Sequence, residues 1–167
     1  MIRTAKREGK EKIGLIIQTI GSTGFRISEL PSITVQAVKN GVAEVDCKGK
    51  NRQVLLPRKL LVKLMYYIRK EHIQCGPIFI TKQGNPLDRS NIWKEMKKIC
   101  RLAGVNEKKV FPHNLRHLFA YSFYQMEKDI AKLADLLGHS NINTTRIYIV
   151  SSGVEHRKQI EKMNLLL

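Results

Sequence analysis

A histidine, a phenol and an arginine lie within one short stretch near the end of the sequence, LLGHSNINTTRIY over Leu136–Tyr148. Gly138 suits the left-handed residue that closes a helix, and Ser140 or Asn141 can cap the helix after it. The predicted helix, break and helix hold His139 and Tyr148 on either side of one turn, with Thr144, Thr145 and Arg146 between them. Taken alone, this spacing fits plain helix packing equally well. Two further stretches carry groups of the same kind, TGFRISEL at Thr23–Leu30 and PHNLRH at Pro112–His117. Arginine, histidine and tyrosine drawn from three remote segments predict a metal-free phosphoryl-transfer site for DNA.

Each group has a plainer alternative. His113, Arg116 and His117 are spaced to share one face of a helix's first turns, with Leu115 and Phe119 turned to the core. Positive groups at a helix N-terminus oppose its dipole, so they cost stability unless an anion sits among them; the alternative is a solvated basic turn. Arg26 precedes Glu29 by three residues. The pair is either a surface ion pair of a few tenths of a kcal/mol, or a carboxylate orienting a buried guanidinium that grips two phosphate oxygens. Lys48 and Lys50 fall on a predicted hairpin turn, where a lysine is either solvated or a mobile proton donor.

The chemistry needs this many cations. A free tyrosine has a pKa of about 10, and supplying its phenolate at neutral pH costs about 4 kcal/mol. Each positioned donor on the developing charge is worth roughly 2.7–4 kcal/mol by analogy with oxyanion holes. Arginines, histidines and a lysine can therefore stand in for a metal ion, and the sequence shows no carboxylate cluster of the kind that holds Mg²⁺. Tyr121 and Tyr124 compete as nucleophiles, but they share a helix with the core-facing Phe119 and Phe123.

The elements that must position these groups are mostly helical. Ile13, Ile16, Ile17 and Ile20 follow the spacing of one buried helical face, broken at Gly21–Gly24 and restarted near Arg26 until Pro31. From Ile33 the period changes to two, and Asn40-Gly41 is a strong hairpin signal. Strands are predicted at Ile33–Val38, Val42–Cys47 and Arg52–Leu56, forming a three-stranded antiparallel sheet. Helices are predicted around Leu60–Ile68 and around Ile92–Cys100 with Ser90 as its cap. A further helix starts at Pro112, with Leu115, Phe119, Phe123 and Met126 inward, and another from Asp129 to Gly138. Gly76-Pro77 ends the region of the first of these helices, and Ile78–Asn85 reads as an extended loop or hairpin. A last amphipathic helix would carry Ile160, Met163 and Leu166. The class is α+β, mostly α-helical.

Composition sets the partner. Thirty Lys and Arg against fourteen Asp and Glu leave 167 residues with a net charge of +16. That excess repels itself and suits a polyanion, nucleic acid first. Cys47, Cys75 and Cys100 are odd in number and far apart, so they read as reduced thiols rather than a disulfide or zinc framework. No stretch approaches the roughly 20 apolar residues that span a bilayer, and no signal peptide is visible.

The three stretches resemble the boxes of the tyrosine recombinases, the phage-integrase family. TGFRISEL is similar to its first arginine box, PHNLRH to its histidine-x-x-arginine box, and LLGHSNINTTRIY to its histidine-to-tyrosine box, in family order. The resemblance implies that Tyr148 attacks a phosphate to form a 3′-phosphotyrosyl link, while Arg26 and Arg116 clamp the non-bridging oxygens. His113 would assist proton transfer, His139 would hydrogen-bond the phosphate, and Glu29 would support Arg26. A hairpin lysine would protonate the 5′ oxygen. It is assigned to Lys48, with Lys50 as the alternative because the spacing to Pro57 departs from the family's by about one residue. Lys50, Arg52 and Arg146 are expected to contact DNA.

The resemblance further implies a catalytic domain over 1–167 with a tail helix at 154–167, the family's N-terminal DNA-binding domain being absent. No metal, ATP or other cofactor is expected. The partner is double-stranded DNA at a recombination site of a phage or mobile element in the bacterial cytoplasm, associated with the nucleoid. The full-length protein would act as a tetramer on DNA and this chain alone would be a monomer. Two other functions fit the same residues: a type IB topoisomerase-like DNA relaxer, and an inactive DNA-binding module that keeps the fold.

Overall fold

The computed structural model describes residues 1–47, 50–81, 83–148 and 162, with the backbone alone at Cys47, Lys50 and Lys109. The fold is built around α2 (Glu11–Thr23), whose Ile13, Leu15, Ile16, Ile17 and Ile20 are all buried. A helix apolar on most of its surface must be enclosed. Here α1 (Ile2–Arg7), α4 (Arg58–Lys70), α5 (Arg89–Leu102) and α6 (Pro112–Glu127) pack on it. Their inward residues, among them Leu60, Leu64, Ile68, Ile92, Met96 and Ile99, complete the main core.

A 3₁₀ helix, Ile27–Ser32, follows the break at Gly24 and contains Pro31. Then comes α3 (Val35–Asn40), where the sequence predicted a strand. Thr34 caps it by accepting from the Ala37 amide, and Asn40-Gly41 is not a hairpin turn, because Gly41 closes the helix at φ 75°. Val35 and Val38, three residues apart, are both buried, so the apolar pattern serves a helical face as well as a strand. Only an isolated bridge from Thr34 to Pro77 remains of the expected strand.

The sheet among the described residues is therefore two-stranded, not three-stranded. β1 (Val42–Cys47) pairs antiparallel with β2 (Lys50–Leu55), Val42 opposite Leu55 and Val45 opposite Arg52. Ala43, Val45 and Val54 are buried, so this face of the ribbon looks inward.

Two smaller expectations also change. Asp88, not Ser90, caps α5, accepting from the Ser90 and Asn91 amides. Met126 is 81% exposed rather than inward, because it lies on the last turn of α6, which nothing described covers. The cap and closure of α7 (Ile130–Leu137) are as expected: Asp129 accepts from the Lys132 amide and Gly138 takes φ 65°. A short α8 (Asn143–Arg146) follows. Ala120, Leu133, Leu137 and Tyr148 form a second, smaller core with Phe119, Phe123 and Tyr124 around it. The expected tail helix at 154–167 lies outside the described residues, except for Lys162, which is helical.

Candidate active site

The site begins with one buried carboxylate. Glu29 accepts from the backbone amide of Arg26 at 2.7 Å, from Arg26 Nη1 at 2.7 Å and from Arg52 Nη2 at 2.6 Å. Burial pushes this carboxyl up, but the Arg26 hydrogen bonds and the Arg52 charge outweigh it and hold the group below the ordinary carboxylate range. Arg26 keeps 36% of its side chain exposed while Glu29 keeps 6%. A carboxylate fixed on both oxygens aims a half-open guanidinium, which is more than a surface ion pair does.

Arg116 enters from the first turns of α6 and is 3% exposed. Its charge is accommodated by two helix ends. Nη1 donates to the Gly24 carbonyl, where α2 closes at φ 70°, and Nη2 donates at 2.6 Å to the Leu137 carbonyl, where α7 closes. Terminal carbonyls lack intrahelical partners and carry the negative end of the dipole, so they suit a buried cation. Nη1 also lies 4.0 Å from Glu29, so Arg26 and Arg116 share one carboxylate. Burial and the Arg26 charge push the Arg116 guanidinium down from its usual pKa.

His139 follows the glycine that ends α7. Its Nε2 is 3.1 Å from Arg116 Nη2 and its Nδ1 is 2.8 Å from Thr145 Oγ1. A guanidinium only donates, so Nε2 accepts and Nδ1 carries the proton toward Thr145. Burial, then the positive charge of Arg116, push the His139 pKa down to about 4. The residue at the cap of α8 is Ile142, with no side-chain cap, rather than Ser140 or Asn141 as expected. Asn141 lies one residue earlier, its side chain accepting from the Asn143 amide.

Tyr148 is 6% exposed and lies among the histidines. Its ring centroid is 4.2 Å from His117 (edge-on), 5.9 Å from His139 (stacked) and 6.3 Å from His113. His113 is exposed; burial and His113 push the half-buried His117 down.

The structure thus brings Arg26, Glu29, Arg116, His113, His139 and Tyr148 to one place. Lys48 lies outside the described residues, and of Lys50 only the strand backbone is described. Arg146 is exposed on α8. Arg52, expected on the DNA-contacting surface, has a side chain only 9% exposed beneath the site. Its burial was legible: Arg52, Val54 and Leu56 alternate with Gln53 and Leu55, so it shares the inward face. Two contributors carried no individual catalytic role in the sequence reading. His117 lies closest to the Tyr148 ring, a position its helical spacing from His113 already allowed. Thr145, fully buried, sets the His139 tautomer, and nothing in its local sequence marks it.

The sequence pattern of the phage integrase family matches residues 1–153. The chain is 30% identical over 166 residues to the tyrosine recombinase XerA of Pyrococcus furiosus, covering 94% of this chain and 57% of that protein. It is 31% identical over 140 residues to the tyrosine recombinase XerH of Campylobacter jejuni, covering 80% and 40%. It therefore spans about half the length of these relatives. The crystal structure of XerA recombinase superposes with a TM-score of 0.80 at 24% identity, over 99% of this chain and 61% of that one. XerH bound to its difH substrate before cleavage superposes at 0.75 with 25% identity, over 92% and 47%.

Proposed function

The chain belongs to the phage integrase family, and on that premise we propose that it cleaves and rejoins duplex DNA at a specific site as the catalytic part of a tyrosine recombinase. The observation that carries this reading is the pair of guanidinium groups held by Glu29 beside His139 and Tyr148.

A phosphodiester entering the site takes its non-bridging oxygens to Arg26 and Arg116. His139, whose Nε2 accepts from Arg116 in the structure, donates to the phosphate only when Nε2 takes up a proton and leaves that contact. Tyr148 Oη attacks phosphorus while its proton passes to His113. The bond from phosphorus to the 5′ oxygen breaks, and that oxygen takes its proton from the hairpin lysine, Lys48 by resemblance. The 3′-phosphotyrosyl bond retains the energy of the ester, so a 5′ hydroxyl reverses the step without ATP. Lys50 and Arg146 extend the cationic surface along the backbone. The acting assembly is a tetramer on a recombination site of a phage or mobile element, in the cytoplasm of its host.

A nicked suicide duplex carrying the element's recombination site tests this. The protein should form a covalent adduct that Tyr148→Phe abolishes, and it should leave supercoiled plasmid without that site unrelaxed. Absence of the wild-type adduct would leave DNA binding without chemistry. Relaxation of any plasmid would instead support a topoisomerase-like activity.

A further inference from the structure

Arg52 carries more of this site than a surface cation does. In the ribbon it opposes Val45 and lies two residues before Val54, both buried, so its stem points inward. Nη2 donates to Glu29 at 2.6 Å and Nη1 donates to the carbonyl of Leu136 in the last turn of α7. Nε is buried with no partner among the described residues. A Cβ on Gly138 would meet Arg52 Cδ at 2.5 Å and Nε at 2.9 Å. The guanidinium therefore sits against the residue that precedes His139. Enclosing a charge with one N–H unpaired costs stability, and a valine at this inward strand position would avoid that cost. The arrangement suits a role in the site better than a role in folding alone.

We propose that Arg52 is a positioning residue that ties β2, the strand following Lys48, to Glu29 and to the end of α7, and so sets where Arg26 and His139 meet a phosphate. This rests on the phosphate-site reading above. Without Arg52, Glu29 Oε2 keeps the Arg26 amide but loses its guanidinium donor, and Arg116, now 4.0 Å away, is drawn toward it from the Gly24 carbonyl. The Leu136 carbonyl also loses its donor, and the turn into His139 loosens.

The test uses the whole chain, labelled at histidine for NMR, with inorganic phosphate as the probe and His139→Gln to identify the His139 signals. Arg52→Lys keeps the charge but cannot reach both Glu29 and Leu136. It should weaken phosphate binding at least tenfold and raise the midpoint of His139 titration, while binding of a nonspecific duplex stays within twofold. Gly138→Ala, which crowds Arg52, should weaken phosphate binding likewise, and should add nothing further in an Arg52→Ala background. Melting curves show which variants are folded, and Gly138→Ala provides the second route if Arg52→Lys is not.

Unchanged phosphate affinity and His139 titration in folded Arg52→Lys would overturn the proposal. So would a matching loss of duplex binding with a shallower salt dependence, which marks a direct DNA contact. If wild type ignores phosphate, the phosphate-site reading fails, and the His139 titration without phosphate still decides the role of Arg52.

Discussion

His139 is held neutral at physiological pH by what surrounds it: burial first, then Arg116, Arg26 and Arg52. Its folded pKa of about 4 lies below the ordinary 6.5. The unfolded chain therefore takes up the proton first as pH falls. The stabilisation is complete above about 6.5 and is lost progressively toward about 4, with His117 shifted in the same direction. Melting temperature should fall across that window, and His139→Gln should remove part of the decline. Glu29 works in a separate window: its lowered pKa gives stability that is lost only as pH falls below about 4.5. Arg26 tests catalysis more cleanly than Arg116, because 36% of its side chain is exposed and it does not hold the closing carbonyls of α2 and α7. Arg26→Lys keeps the charge but loses the planar fork. Suicide-substrate cleavage should slow by about 10²–10³-fold, the cost of one misplaced donor, with little change in melting temperature.

Helix ends do the positioning at the next scale. The C-termini of α2 and α7 meet on one guanidinium, and each ends in a left-handed glycine. At Gly24 a Cβ would come within 2.6 Å of the Phe119 ring and 3.1 Å of Leu137, at φ 70°. Gly24→Ala should therefore destabilise the protein by about 1–3 kcal/mol and also weaken cleavage, because the carbonyl displaced is the one Arg116 uses. Denaturant unfolding and the adduct assay on one sample would read both. The segment after Ile33 allows a different test. Thr34→Ala removes the cap of α3 and should cost about 1 kcal/mol, a loss that a strand at this position would not show. The strand expectation failed there because alternating apolar residues can also be read at helical spacing, and the capping threonine decides between the two.

Charge dominates the whole molecule. A net charge of +16 on 167 residues favours a polyanionic partner and disfavours the bare compact state. Each backbone phosphate neutralised should contribute about −0.9 to the slope of log K against log salt, so three to five contacts give about −2.7 to −4.5. Filter binding of a duplex across a salt series measures this, and a flat response would remove DNA as the partner. The site itself lies where the main core meets the smaller one. Arg116 reaches back to α2 and across to α7, while Tyr148 belongs to the smaller cluster. Leu133→Ala, a fully buried change in that cluster, should cost about 2–5 kcal/mol. It should also loosen Tyr148 more than it disturbs the pairing of Glu29 with Arg26.

From the order of residues alone came the arginines, histidines and tyrosine proposed for the site, the enclosed face of α2, the cap at Asp129 and the left-handed turn at Gly138. These are local patterns, written in spacings of a few residues. Only the tertiary structure decided that Ile33–Asn40 coils rather than pairs, that Arg52 supports the site from beneath, and that His139 carries its proton on Nδ1. Those outcomes depend on partners 84 and 92 residues away for Arg52 and Arg116; alternation along β2 marks Arg52 as inward-facing, but no short window of sequence names what it meets there. A buried cation takes whichever carbonyls the packed helices leave open, and those are known only once the helices have packed.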